Sequence, residues 1–123
     1  MCKGVLKLLA RFEKRKAIKR KAKMKTNFIH VMGDSPINRV LDFLIENDRE
    51  SWTMVEIRDE ANVGYSTLKI ILPEMLKKDL IIVSKIVGKS RLFKINKNNI
   101  VTKKIYELYN AINENEIKRF IKV

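Results

Sequence analysis

Few residues of this 123-residue chain are of the types that carry out catalysis or bind metals. The sequence holds one cysteine, Cys2, and one histidine, His30, so we expect neither a disulfide framework nor a Cys/His zinc cluster. A Ser-His or Cys-His catalytic pair would need His30, which has no partner at motif spacing. The carboxylates of Glu56, Asp59 and Glu60 lie close in sequence, but we expect one to cap a helix and the others to be solvated, not to hold two metal ions. These residues predict no metal or cofactor site and favour a binding protein over an enzyme.

The charge balance indicates what such a protein would bind. Twenty-seven Lys and Arg against fourteen Asp and Glu give a net charge of +13. So large an excess favours a polyanionic partner, with nucleic acid first and an anionic membrane surface second. The length fits a single domain, and no apolar run approaches the ~18 residues of a membrane span.

Most of this excess lies in the first 25 residues, which hold eleven Lys and Arg and a single acid, Glu13. Val5, Leu8, Leu9 and Phe12 recur there at helical spacing. Because closely spaced like charges repel one another, we expect this arm to be frayed alone and helical once its charge is neutralised.

Three interpretations of the arm stay open. It could follow DNA phosphates as a basic tail, which we favour, or lie on an anionic membrane as an amphipathic helix with Leu6, Leu9 and Phe12 inserted. It could also be a solvated extension upstream of a later start at Met24 or Met32. The arm residues assigned to DNA are Lys14, Arg15, Lys16, Lys19, Arg20 and Lys21.

The positioning elements begin at Ser35-Pro36, which is a strong helix start. An apolar stripe follows at helical spacing. It comprises Ile37, Val40, Leu41, Leu44 and Ile45. Residues 47–50 are polar and end this first predicted helix, and Ser51-Trp52 is predicted as a short extended piece. We expect Phe43 and Trp52 to pack in the core.

Two further helices are predicted around a tight turn at residues 62–64. Thr53 and Glu56 have the spacing of a capping box, and the third predicted helix runs from Tyr65 to Lys78. Pro73 falls inside it and predicts a kink. The predicted inward residues are Met54, Ile57, Ala61, Val63, Leu68, Ile71, Leu72, Met75 and Leu76. Two short helices joined by a turn with Gly are typical of a helix-turn-helix.

A β-hairpin is predicted next, because residues 80–87 and 91–95 are rich in β-branched and aromatic residues. Gly88 suits the first central position of a type II′ turn. If Val87 pairs with Ser90, regular pairing places Ile82 opposite Ile95 and Ser84 opposite Phe93. The predicted fold class is therefore α+β and mostly α: three helices and a hairpin wing, with a basic N-terminal arm and a C-terminal helix.

The C-terminal segment, residues 99–123, is predicted to be helical because it lacks Gly and Pro. Its apolar residues Val101, Ile105, Leu108 and Ile112 alternate spacings of four and three, as in a heptad seam. We expect this helix to form a homodimer, although the same stripe could pack on its own domain.

Several stretches of the chain resemble archaeal winged helix-turn-helix regulators, which are similar to the multiple-antibiotic-resistance and arsenical-resistance (MarR/ArsR-type) repressors. They are Gly33-Asp34-Ser35-Pro36, Arg39-Val40-Leu41-Asp42-Phe43-Leu44, Glu56-Ile57, Val63-Gly64-Tyr65-Ser66-Thr67-Leu68 and Gly88-Lys89-Ser90-Arg91-Leu92-Phe93-Lys94-Ile95-Asn96. The likeness covers about residues 33 to 110 and implies a small dimeric DNA-binding transcription factor. It divides the chain into a basic arm (1–32), a DNA-binding domain (33–98) and a C-terminal dimerisation helix (99–123). The resemblance does not imply metal sensing, because this sequence lacks the Cys and His metal sites that some of these repressors have.

In such folds the third helix enters the major groove amino end first, and the tip of the wing reaches the adjacent minor groove or backbone. The residues expected to contact DNA in this domain are Tyr65, Ser66, Thr67, Lys69, Ile70, Lys77, Lys89, Ser90 and Arg91. The helix face lacks Arg, Asn and Gln, so we expect modest direct readout of sequence, or dependence on DNA shape.

The leading hypothesis is therefore a homodimeric regulator that binds double-stranded DNA in the cytoplasm, associated with the nucleoid, without a small-molecule substrate. A protein-interaction winged helix, a DNA-architecture or partition module and a membrane-surface adaptor remain alternatives.

Overall fold

The computed structural model describes residues 25–121, which form an α+β architecture that is mostly helical, as predicted. The helices are α1 (Asn27–Met32), α2 (Pro36–Glu46), α3 (Met54–Ala61), α4 (Tyr65–Lys77) and α5 (Ile100–Ile121). The strands are β1 (Trp52–Thr53), β2 (Ile81–Val87) and β3 (Ser90–Ile95). They form one antiparallel sheet in the order β1-β3-β2.

Helix α2 begins where the sequence predicts. The side-chain oxygen of Ser35 accepts a hydrogen bond from the backbone N–H of Asn38 at 3.3 Å, and Pro36 occupies the first turn. The apolar stripe of this helix turns inward and forms much of the core, with only Ile37 at its exposed edge. Trp52 and Phe43 are buried in edge-to-face contact, with ring centroids 5.0 Å apart, which confirms their predicted packing role.

The connection between α3 and α4 starts from the predicted capping box. The Thr53 hydroxyl accepts from the Glu56 N–H at 3.2 Å, and the Glu56 carboxylate accepts from the Thr53 N–H at 3.0 Å. The tight turn follows, with Val63 buried as predicted. Asn62, at φ 55, and not Gly64, at φ −59, takes the left-handed conformation, which Asn tolerates better than most residues.

Helix α4 continues through Pro73 and ends in a Schellman motif. The N–H of Leu80 donates to the carbonyl of Met75 at 3.0 Å, and the N–H of Asp79 donates to that of Leu76 at 3.1 Å. Asp79 has a φ of 59, the left-handed position that this motif requires after the helix end. The motif turns the chain directly into β2.

The hairpin has the predicted tip but not the predicted register. Val87 pairs with Ser90, and Gly88 has a φ of 61. The expected pairs of Ile82 with Ile95 and Ser84 with Phe93 are wrong. A shift between Val83 and Lys85 leaves Ser84 unpaired, so that Ile81 lies opposite Ile95 and Val83 lies opposite Phe93.

This bulge decides which face of β2 is buried. Ile81 is 1% exposed, whereas Ile82 is 41% exposed. Because side chains alternate along a strand, a shift of one residue exchanges the core face for the solvent face. The Ser84 side chain is not left to solvent alone, since its hydroxyl contacts that of Ser51.

Helices α1 and α5 pack on each other. The Phe28 and Tyr109 rings lie 5.5 Å apart, and the Asn27 amide donates to the Asn113 side chain at 3.3 Å. Phe28 and Ile29 belong to the core, so residues 27–32 form a packed helix. His30, expected in a linker, lies exposed on this helix.

The predicted heptad seam does not form a single face of α5. Ile112 is buried in the core of its own domain and Ile105 packs against it, whereas Val101 and Leu108 are exposed. The inward face is completed by Thr102 and Tyr109, which the seam did not include.

Candidate nucleic-acid interface

Helix α4 has one buried and one exposed face. Leu68, Leu72 and Met75 are buried, and the outward residues of the sequence prediction are at the surface. Ser66, Pro73 and Lys77 are exposed, as is Ile70, whose side chain is 70% accessible. An exposed isoleucine flanked by hydroxyl and amino groups offers both apolar and polar contacts to a partner.

Tyr65 organises cations at the amino end of α4. Its ring lies 4.9 Å from the Lys69 ammonium and 5.9 Å from the Arg58 guanidinium, distances at which the face of an aromatic ring attracts a cation. The spacing of Tyr65 and Lys69 on one helix made their contact predictable. Arg58 was missed, because no signal in the sequence relates it to Tyr65.

The same end of α4 has no side-chain cap, because its N-cap residue is Gly64. The first N–H groups of a helix lack partners within the helix and carry partial positive charge. Together with Lys69, this helix terminus favours an anion such as phosphate.

Arg39 holds the α3–α4 turn in place. Its Nη1 atom donates to the carbonyl oxygen of Asn62 at 2.9 Å, and its Nε atom donates to the carboxylate of Asp34. The hydrogen bond from Arg39 holds the pKa of Asp34 below its ordinary value. Arg39 was not among the predicted site residues, since the oxygen that it holds in the turn is a backbone carbonyl 23 residues away, for which sequence spacing gives no signal.

The hairpin tip also presents cations. Lys89, Ser90 and Arg91 are exposed, as predicted, and the Arg91 guanidinium lies 5.5 Å from the centre of the Phe93 ring. This contact orients Arg91 along β3. Among the described residues, no carboxylate lies within salt-bridge distance of Lys69, Lys89 or Arg91.

Basic and acidic residues are concentrated in different parts of the domain. Residues 65–95, from α4 through the hairpin, hold seven Lys and Arg against two acids, whereas residues 25–64 hold four against eight. In the second group, Lys25, Arg39 and Arg58 are paired with Asp34 or Asp59. Within residues 25–95, the positive charge that can meet a partner is therefore concentrated on α4 and the hairpin.

Glu74 is an acidic exception on α4 and was not among the predicted site residues. It is exposed one turn after Ile70, and the helical period alone would have placed it near the outward face. Its carboxylate repels phosphates, so the amino-terminal half of α4 is the more favourable half for an anionic partner.

The acidic residues of α3 do not form a metal centre. Glu56 serves the capping box, and Asp59 pairs with Arg58 at 3.0 Å. Glu60 is buried, so the expectation that its carboxylate is solvated is wrong. Within residues 25–121, no group of three or more His, Cys, Asp and Glu side chains is arranged to hold a metal ion.

The arm residues Lys14, Arg15, Lys16, Lys19, Arg20 and Lys21 lie outside the described residues, as does Cys2. Between residues 25 and 121, none of the helices is both long enough and apolar enough to cross a membrane. No protein-family model matches the chain, and no curated protein matches it by sequence.

Proposed function

We propose that this chain is a winged helix-turn-helix protein that binds double-stranded DNA and regulates transcription, without enzymatic activity. Helix α4 enters the major groove, and the β2–β3 hairpin is the wing, whose tip meets the adjacent backbone or minor groove. The basic arm adds affinity that does not depend on sequence. This role places the protein in the cytoplasm, on the nucleoid.

The single observation that carries the proposal is the division of charge. The segment that forms α4 and the hairpin, residues 65–95, holds seven basic residues and only two acids, although the preceding part of the domain is acidic. A surface that only needed solubility would not require this separation. Neutralising phosphates with Lys and Arg, which releases counterions, is favoured by it.

The roles within α4 follow from exposure and chemistry. Lys69, held by the Tyr65 ring, and Lys77 bind phosphates and position the protein. The hydroxyls of Ser66 and Thr67 face base edges or phosphates, and Ile70 contacts a thymine methyl. At the wing, Lys89, Ser90 and Arg91 bind the backbone or the minor groove.

We further propose that the functional unit is a homodimer joined through α5. Val101 and Leu108 are exposed on this helix and remain available to a second copy, whereas Ile105 and Ile112 serve the core of their own domain. Sedimentation equilibrium of the chain and of its Leu108→Glu variant tests this: a dimer that the variant does not dissociate would exclude this face.

The experiment that tests DNA binding is a salt titration with random duplex. The slope of log K against log salt should be steep, and Lys69→Gln or Lys89→Gln should each reduce it by ~0.9 for every phosphate that is no longer neutralised. The matched control is Lys103→Gln on α5, another exposed lysine, which should leave the slope unchanged. An absence of duplex binding, or equal effects of all three variants, would contradict the proposed function.

A further inference from the structure

The tip of the hairpin exposes two large apolar side chains. Ile86 is 70% and Val87 is 62% exposed, and every residue from 86 to 91 is at the surface. Ile86 pairs with Arg91 and Val87 with Ser90, so the two apolar side chains project from opposite faces of the ribbon. The core of the domain ends before it reaches them. Leu92, which pairs with Lys85, is buried, and no residue nearer to the tip is.

Three cations lie close in sequence to this apolar tip. Lys85, Lys89 and Arg91 are all exposed, and no acid occurs in the sequence between Asp79 and Glu107. An apolar tip on a hairpin that carries cations and no acids complements a partner with anionic groups outside and apolar surfaces inside. Duplex DNA has this arrangement, with phosphates at the rim of each groove and stacked bases beneath.

With α4 in the major groove, the tip of the wing meets the adjacent minor groove, and its dimensions require that groove to deform. From the Lys85–Leu92 pair to Val87, the ribbon extends about 7 Å at ~3.3 Å per residue, close to the ~7.5 Å depth of the minor groove. The groove is only ~6 Å wide, whereas two strands ~4.8 Å apart with side chains on both faces are broader. The tip therefore reaches the bases only if the groove opens.

We propose that Ile86 and Val87 form an apolar wedge that opens the minor groove, partly unstacks a base step and bends the duplex. This inference rests on the proposed function. It also supplies a source of selectivity, since α4 contains no Arg, Asn or Gln for bidentate base contacts. Pyrimidine–purine steps such as TA deform most easily and A-tracts are stiff, so the wedge selects flexible sequences.

The test uses the full chain and two end-labelled duplexes of about 25 base pairs with equal composition, one with a central TATATA and one with a central AAATTT. Energy transfer between the ends measures bending, and titration measures affinity. The wild type should bend the TATATA duplex by between about 20° and 90° and bind it roughly three- to tenfold more tightly than the AAATTT duplex.

The Ile86→Ser/Val87→Ser double variant should lose both the bend and the preference while retaining salt-dependent binding. It removes only exposed side chains, and circular dichroism checks that it is folded. The matched control is Ile82→Ser, which removes exposed apolar surface from the same strand away from the tip and should keep both properties.

The possible results distinguish a failure of the wedge proposal from a failure of the proposed DNA-binding function on which it rests. Binding without bending and with equal affinity for the two duplexes overturns the wedge and leaves the proposed function intact. Failure to bind either duplex overturns both. If the double variant still bends DNA but no longer binds phosphatidylserine vesicles that the wild type binds, the tip is a membrane contact and the wedge is wrong.

Discussion

Tyr106 on α5 donates a hydrogen bond from its phenol to the Asp48 carboxylate at 2.7 Å, joining residues 58 positions apart. Lys97 approaches the same carboxylate at 3.0 Å. Burial and the bond to Asp48 raise the pKa of Tyr106, so that its phenol keeps the proton it donates. The C-terminal helix is thereby attached to the turn that follows α2.

Removing this bond should destabilise the domain. Tyr106→Phe deletes a charge-assisted hydrogen bond that is partly buried, and we expect the free energy of unfolding to fall by about 1 to 2 kcal/mol. Lys97→Ala removes the more exposed partner of Asp48 and should cost less, about 0 to 1 kcal/mol. Urea unfolding of the two variants measures both values. An equal decrease in both would show that the phenol has no special role.

Asp42 should make stability depend on pH. Burial raises its pKa from the ordinary 3.8 to about 6, with Glu46 adding to the effect and hydrogen bonds from Thr26 and Tyr109 opposing it. In addition, the Oδ1 atom has no hydrogen-bond partner in the described part of the chain. Because the folded state binds this proton more tightly than the unfolded state does, the contribution of Asp42 to stability is fully present below about pH 4 and disappears as the pH rises through 6.

Compared with its protonated form at low pH, the ionised Asp42 carboxylate lowers the free energy of unfolding by about 2 to 3 kcal/mol above pH 6. Asp42→Asn should therefore be more stable than the wild type at pH 7.5 and equally stable near pH 4, as judged from urea midpoints across this range. Glu114→Gln, which neutralises an exposed carboxylate on α5, controls for the change in net charge. A constant difference between Asp42→Asn and wild type at every pH would contradict this assignment.

The bulge at Ser84 predicts opposite outcomes at two adjacent isoleucines. Ile81→Ala removes a fully buried side chain and should cost about 2 to 5 kcal/mol. Ile82→Ala alters a side chain at the surface and should change stability by about 0.5 kcal/mol or less. Chemical denaturation of both variants tests the register, because regular pairing from the tip would reverse their order.

The hydroxyls at the start of α4 should affect the choice of DNA site and leave electrostatics unchanged. Ser66→Ala with Thr67→Ala removes uncharged groups, so the salt dependence of duplex binding should stay at the wild-type slope while the selected sequences change. Selection from a random duplex pool and salt titration measure the two properties. Identical selected sequences would show that these hydroxyls do not contact base edges.

Local signals in the sequence were sufficient to predict most of the helices and strands. The Ser35 cap of α2 and the Thr53–Glu56 capping box both join atoms three residues apart, so the sequence spacing already contains the geometry. The outward face of α4 followed from the helical period in the same way. Helix α1 has a cap of the same kind, since the Thr26 hydroxyl accepts from the Ile29 N–H at 3.3 Å, but its packing through Phe28 and Tyr109 joins distant parts of the chain and had no local signal.

The sequence by itself therefore determined where α2 to α5 and the hairpin form, and how many charges each part holds. Only the tertiary structure decided the strand register at Ser84, the contact of Arg39 with Asn62, the contact of Arg58 with the Tyr65 ring and the division of the α5 seam. Each of these joins residues on different elements or depends on which face the core covers. Their energies arise from burial and contact across the fold, which the spacing of residues along the chain does not contain.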